Sequence, residues 1–402
     1  MHDVVIVGAG PGGSAAAYYL ARQGLDVLLL DKSSFPRDKT CGDGLTPRAL
    51  SVLEDMRLLN DLLRVGYRLN RVEIASARGQ TVEAPFPGKN GRPGYTLIVP
   101  RFTLDDTLRS HAVAHGAKFQ DQVRVTEVAP RGGGMVVTGK QAGGSFSTAA
   151  RVVVVATGAS MPLLQQMGLL KKMPTVALAA RAYFEGVEGL TDHMQLSFAG
   201  VPLPGYGWIF PLPNGAANIG AGIFPWGWAG RWMSRNARQA FDRFIQTPLL
   251  QAMLAGARQV GPVKGYPLRM DFLSAPTYSE RVLLVGEAAG LVNPLTGEGI
   301  DYALESGKVA AEHLLHLFAS GDVSIHGLAE YDHLLRQRFQ RLFRVCSLTR
   351  DLFVNSLLIN PMISLAARRP DLKLLLIKIA FGEQNTLNNI TPQRIIRRVF
   401  AG

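Results

Sequence analysis

Val4-Val5-Ile6-Val7-Gly8-Ala9-Gly10-Pro11-Gly12-Gly13 carries an apolar strand straight into a glycine-rich turn. Leu28-Leu29-Leu30-Asp31 ends a second strand on an acid, about twenty positions past the first glycine. Between them, Ser14 to Gln23 is rich in Ala and predicts a helix whose positive N-terminal end faces the turn. Together these segments predict a βαβ dinucleotide pocket. Gly8 makes the tight turn, Gly10 lets the backbone approach a pyrophosphate, Gly13 lets helix pack on strand, and Asp31 reaches a ribose hydroxyl.

Working outward, Phe35 to Leu45 is a polar, glycine-punctuated loop, and Pro47 to Leu59 predicts a helix. Residues 72–99 read as short strands with turns at Arg78-Gly79 and Pro87-Gly88. A helix is expected after Arg101, with Thr103 as its N-cap and Leu104, Leu108 and Ala112 on its apolar face. Strands from Val123 to Val137 and the run Val152-Val153-Val154-Val155-Ala156 lead to Thr157-Gly158. From Val176 to about Pro267 the alternation is that of longer antiparallel strands, with Pro213-Asn214-Gly215 as a hairpin turn. Val282-Leu283-Leu284-Val285 returns as a buried strand. After it, Ile300, Ala303, Leu304, Gly307, Ala310, Ala311 and Leu314 fall on one helical face. The nucleotide-binding part is therefore expected to be discontinuous in sequence.

A length of 402 residues suggests about two to three domains. Cys41 and Cys346 are the two cysteines, so no disulfide framework is implied and a reducing cytoplasm is expected. The chain enters a strand after Met1-His2-Asp3, so no signal or transit peptide is expected, and no run of about 18 uninterrupted apolar residues suggests a membrane span. The formal charge is +12 and unevenly spread: from Tyr331 to Gly402 twelve Lys and Arg face four Asp and Glu. Large apolar residues interleave with them, as in Leu372 to Phe381 and Ile395 to Phe400. That pattern predicts helices lying on an anionic membrane surface, against the plainer alternatives of a solvated helical cap or an oligomer contact. Nucleic acid is the poorer partner, since the tail has no base-reading module.

Five segments in order resemble the FAD-dependent geranylgeranyl reductase family, within the larger group that shares the fold of aromatic flavin hydroxylases. They are Gly8 to Gly13; Lys39-Thr40-Cys41-Gly42-Asp43-Gly44; Arg101; Pro204 to Pro211; and Gly286-Glu287-Ala288-Ala289-Gly290 through Gly299-Ile300. Phe35 to Lys39, Cys41 to Arg48 and Asn293 to Tyr302 are most similar to the reductases that saturate an isoprene unit in the menaquinone tail. The resemblance implies an α/β fold: a Rossmann-like FAD-binding domain of the aromatic-hydroxylase type (1–70, 100–172 and 276–322), an inserted antiparallel-sheet substrate domain (71–99 and 173–275), and a basic helical C-terminal region (323–402). It implies FAD contacts from Gly8, Gly10, Pro11, Gly13, Asp31, Lys32, Cys41, Gly42, Arg101, Val125, Thr157, Gly158, Gly286, Glu287, Pro294, Gly297, Gly299 and Ile300. The family usually has Asp where this chain has Glu287, which keeps the carboxylate and lengthens its reach.

The resemblance further puts Cys41 beside the flavin, facing the substrate. Tyr206, Trp208 and Phe210 alternate in a strand and so share one face, which the resemblance assigns to an apolar chamber for a polyprenyl chain. The expected activity is saturation of prenyl double bonds, with Cys41, Asp43, Tyr206 and Trp208 as catalytic candidates: Cys41, or a water held by Asp43 or Tyr206, supplies the proton. No second glycine fingerprint follows, so NAD(P)H docking transiently or a reduced ferredoxin is expected to re-reduce the FAD. The expected location is cytoplasmic, at the inner face of the cell membrane. Two rivals share the fold: a flavin monooxygenase or halogenase, against which Tyr206 in place of a tryptophan counts modestly, and a non-enzymatic prenyl-lipid carrier.

Overall fold

The computed structural model describes residues 1–86, 88, 94–174, 176–225, 236–355 and 357–380. Pro87 and the Ile395 to Phe400 run lie outside them. Val4, Val5 and Ile6 are fully buried. An unbroken apolar strand of this kind needs cover on both faces, which a parallel sheet with helices provides. The strand His2–Val7 pairs in parallel with Val27–Leu30 on one side and Gly144–Val155 on the other. The sheet continues outward to Lys118–Gln120 at one edge and to Val282–Leu284 and Tyr278–Ser279 at the other. The chain thus leaves the central strand first to one side and later to the other, which opens a crevice at the carboxyl ends of the strands.

The first helix spans Pro11–Ala21 and starts three residues before the Ser14 expected from the sequence. Proline suits that first position, because its missing N–H would have no helical partner there. The helix packs against Ile300–Ser320, where a Cβ on Gly307 would meet the Gly12 carbonyl oxygen at 2.3 Å. Pro47–Asp55 stops short of Leu59; Arg57 has φ 62°, and a separate helix covers Leu59–Val65. The helix Arg101–Ala114 begins directly after Pro100, and Thr103 lies inside its first turn rather than capping it. Extended backbone at Pro100 fixes the start earlier than the threonine signal suggests.

The second sheet has the order Arg258–Arg269, Val176–Glu185, Ala216–Ile223, Gly205–Leu212, His193–Ser197, Arg71–Ala75, Thr81–Pro85. All its pairings are antiparallel except His193–Ser197 with Arg71–Ala75. Asn214 and Gly215, both at positive φ, close the expected hairpin. A small sheet of Gly44–Leu45, Thr96–Ile98 and Tyr67–Leu69 contacts the strand Gly205–Leu212 of the second sheet.

The helix Ile325–Phe353 buries Leu328, Tyr331, Leu335, Phe339, Phe343 and Cys346, one face at helical spacing. Phe339 and Phe343 pack edge-on against Tyr302 and Phe272, with ring centroids 5.1–6.3 Å apart. Arg336 donates to the carbonyls of Phe272 and Ala275. The apolar face of this first part of the basic region is therefore taken up by the core rather than left for a surface. Ile359–Arg368 and Pro370–Ala380 follow and contact the edge strand Thr81–Pro85. Among the described residues, no helix is long and apolar enough to cross a membrane.

Candidate active site

A cavity of about 830 Å³ begins at the glycine turn and reaches the inner face of the second sheet. Gly8, Gly10, Pro11, Asp31, Lys32, Cys41, Gly42, Asp43, Arg101, Val125, Thr157 and Gly158 line it, as do Tyr206, Trp208, Phe210, Gly286, Glu287, Gly297, Gly299 and Ile300. Two expected residues lie off it. Gly13 faces the packing between helix and strand, where a Cβ would come within 1.8 Å of the Gly8 oxygen. Pro294 offers its carbonyl to Arg350 instead.

The phosphate end is built for an anion. Arg101 and Arg37 face Gly10 from across the turn: a Cβ there would lie 3.8 Å from Arg37 Nη2 and 4.0 Å from Arg101 Nη2. Asp105, fully buried, holds both guanidiniums, accepting two bonds of 2.6 Å from Arg101 and pairing with Arg37 at 2.9 Å. Burial works against the charge on Arg101, but Asp105 outweighs it and raises its pKa. Asp31 is anchored at the rim of the turn, accepting from the N–H groups of Ala9 at 2.8 Å and Ser33 at 2.9 Å. A tight glycine turn, a helix N-terminus and two paired guanidiniums match the pyrophosphate of a dinucleotide. Asp105 escaped the sequence reading, although its spacing of four from Arg101 is the helical signal that finds it.

Glu287 keeps its carboxylate in the cavity wall. One oxygen accepts from the Arg269 N–H at 2.9 Å, the other from Tyr266 Oη at 3.2 Å, with Lys39 Nζ 3.7 Å away. Lys39 lies over the Tyr266 ring at 4.2 Å, and burial lowers its pKa.

The chamber beyond is dominated by apolar side chains. Tyr206, Trp208 and Phe210 form a row with ring centroids 6.2–6.3 Å apart. Trp208 lies flat over Gly220, where a Cβ would come within 2.1 Å of the indole. Opposite the sheet the wall is Phe353, Ile359, Met362 and Ile363, from the C-terminal helices. Asn218, fully buried in the sheet and not itself lining the cavity, ties three expected residues together. Its Oδ1 accepts from Trp208 Nε1 at 2.9 Å, and its Nδ2 donates to Asp43 Oδ2 at 2.7 Å and to the Cys41 carbonyl at 2.8 Å. Tyr183 Oη also donates to Asp43 Oδ2, at 2.6 Å, while Asp43 Oδ1 is buried without a partner. Burial pushes the Asp43 carboxyl up to about 6 against the pull of these donors. Sequence reasoning missed Asn218; a lone polar residue inside Ala216-Ala217-Asn218-Ile219-Gly220 is its signal.

Residues 1–345 match the model of the FAD-binding domain family. The menaquinone reductase of Mycolicibacterium smegmatis is 38% identical over 85% of this chain and 82% of its own length. A digeranylgeranylglycerophospholipid reductase of Methanocella arvoryzae is 28% identical over 84% and 83%. Among solved structures, a geranylgeranyl bacteriochlorophyll reductase-like protein from Thermoplasma acidophilum superposes with a TM-score of 0.82 at 21% identity, covering 100% of this chain and 96% of its own. A flavin-dependent brominase reaches 0.78 at 22% identity, covering 100% and 98%, so the fold alone does not separate reductase from halogenase. The turn, the paired arginines and these matches together make the chain a member of the FAD-binding domain family, in the group of geranylgeranyl and menaquinone reductases, and an FAD-dependent oxidoreductase.

Proposed function

We propose that this protein saturates carbon–carbon double bonds of a polyprenyl chain, the tail of menaquinone in preference to a geranylgeranyl lipid. The observation that carries the reading is the continuity of the cavity, from a pyrophosphate-binding turn to a chamber walled by aromatic and aliphatic side chains. A prenyl chain offers no hydrogen bonds, so shape and apolar area must hold it. The names of the relatives support the choice of quinone.

Reduced FAD supplies the hydride. Gly8 to Pro11, Asp31, Arg101 and Glu287 would hold the cofactor, and Tyr206, Trp208 and Phe210 would orient the alkene, which provides much of the acceleration. Their packing also excludes water from the cation-like state that forms. Cys41, and Asp43 or Tyr206 through a held water, line the same chamber as candidate proton sources. NAD(P)H or a reduced ferredoxin restores the reduced cofactor, and the basic, leucine-bearing C-terminal region meets an anionic membrane from which the lipid enters. Leu348, Leu352 and Leu357, exposed beside the helical wall of the chamber, support that side as the entrance.

The test is to incubate dithionite-reduced protein with menaquinone and with geranylgeranyl diphosphate. The expected product is menaquinone heavier by two hydrogens. Oxygen-dependent hydroxylation or halogenation of an aromatic with prenyl chains untouched would overturn the reading in favour of the monooxygenase class. A colourless protein that cannot be reconstituted with FAD would favour a carrier.

A further inference from the structure

Saturating an isolated double bond adds a hydride to one carbon and a proton to the other. The proton needs an acid that still holds it at neutral pH. Tyr206 donates its hydroxyl to the Thr296 carbonyl, and burial keeps its pKa far above neutrality. Asp43 is raised by burial only to about 6, since two donors to its Oδ2 favour the charged form, so it is largely ionised at neutral pH. The Cys41 thiol lies close enough to the Arg101 guanidinium to feel its charge.

Glu298 is differently placed. It lines the cavity in the turn Thr296–Gly299, and Asp301, in the first turn of the helix Ile300–Ser320, lies near enough to act on its charge. Asp301 is 2% exposed; its Oδ2 accepts from the Thr46 hydroxyl, and its Oδ1 is buried without a partner. Thr46 lines the cavity as well. Arg48, 5% exposed, faces both acids, but it gives Nη1 to Glu305 at 2.7 Å and leaves Nη2 unpartnered. Arg338 reaches the other Glu305 oxygen at 3.3 Å. Two guanidiniums thus serve three carboxyl groups, and the pair nearest the chamber is the one left short. Burial, then the neighbouring Asp301, drives Glu298 well above the usual carboxylate range, and burial raises Asp301 to about 6. Two acids that act on each other in this way share a proton rather than both ionising.

We propose that the Glu298 carboxyl is the acid that protonates the substrate alkene, with Asp301 and the Thr46 hydroxyl returning the proton to it. The Glu298 O–H bond breaks as the alkene electron pair forms a C–H bond at one carbon. Hydride from reduced FAD completes the other carbon, Glu298 is left as carboxylate, and water resupplies the proton through Asp301. This assignment rests on the reductase reading above.

The experiment compares FAD-loaded, dithionite-reduced wild type, E298Q, E298D and D301N on menaquinone across pH, with infrared spectra of the same proteins without cofactor. E298Q should retain FAD and lose about 10²–10⁴-fold in turnover, with E298D recovering part. Wild-type turnover should fall at high pH as the acid ionises, and that limb should vanish in E298Q and shift in D301N. Tyr206, Tyr302 and Cys346 also face Glu298, so the infrared signature decides the assignment. A protonated-carboxyl band at neutral pH should be present in wild type and absent in E298Q. A missing band, or E298Q with wild-type turnover and pH profile, overturns the proposal. If E298Q loses its flavin, E298D and the cofactor-free infrared spectrum carry the test. A wild-type protein that saturates no prenyl chain overturns the reductase reading itself, and this role with it.

Discussion

Asn218 holds more of the chamber than any residue the motifs pointed to, because Trp208, Asp43 and the Cys41 carbonyl all lean on its one amide. Removing that amide leaves a buried indole N–H and a carboxylate short of partners. Asn218→Leu should therefore lower stability by about 1–3 kcal/mol, read as a lower urea midpoint at unchanged slope, and blur the tryptophan fluorescence on binding a prenyl quinone. Asp43 makes a signed prediction. Its folded pKa, about 6, is raised, so between pH 4 and 6 the unfolded chain gives up this proton while the native protein keeps it. Its contribution to stability therefore declines as pH rises through that window. Asp43→Asn suits the same positive-φ position and lacks the decline. The stability of the variant relative to wild type should climb from pH 4 to 6 and level off above it; a flat difference would mean that the carboxyl is not held protonated.

The contact between Pro11–Ala21 and Ile300–Ser320 depends on the absence of a side chain at Gly307. Gly307→Ala forces the helices apart, costs about 1–3 kcal/mol and tilts the turn that faces the phosphates, so FAD affinity should fall together with the melting temperature. Elements of this kind were legible in the sequence, because the glycine turn, the buried parallel strands and the Pro213-Asn214-Gly215 hairpin are local signals. Helix starts were less so: Pro11 and Pro100 set boundaries by backbone geometry that hydrophobic periodicity ignores. The chamber's polar scaffold was less legible, since Asn218 and Tyr183 act through partners up to 177 residues away in the chain, whereas Asp105 at the phosphate end carries a local signal four residues from Arg101. Nor did the charge count show that Arg336 serves buried carbonyls.

At the scale of the molecule, the basic region divides in two. A truncation after Phe339 would strip Phe343 and Cys346 from the core and unfold the protein, so it cannot test membrane binding. Deleting residues 381–402 removes three arginines and one glutamate. At about 1 kcal/mol per basic residue near an anionic surface, it should weaken sedimentation with anionic liposomes by about tenfold or more while leaving the flavin spectrum intact. Unchanged sedimentation would assign membrane contact, if any, to the helices before it. The pairing of His193–Ser197 with Arg71–Ala75, and of Val282–Leu284 with Gly144–Val155, has a further consequence for how the molecule is made. On the ribosome, the second sheet cannot be finished until Arg258–Arg269 has emerged, nor the first until the chain has passed residue 284, so the early strands wait with open edges for partners synthesised much later. Maturation is then governed by late, long-range closure, and a nascent chain arrested before that point should remain colourless and protease-sensitive however much cofactor surrounds it.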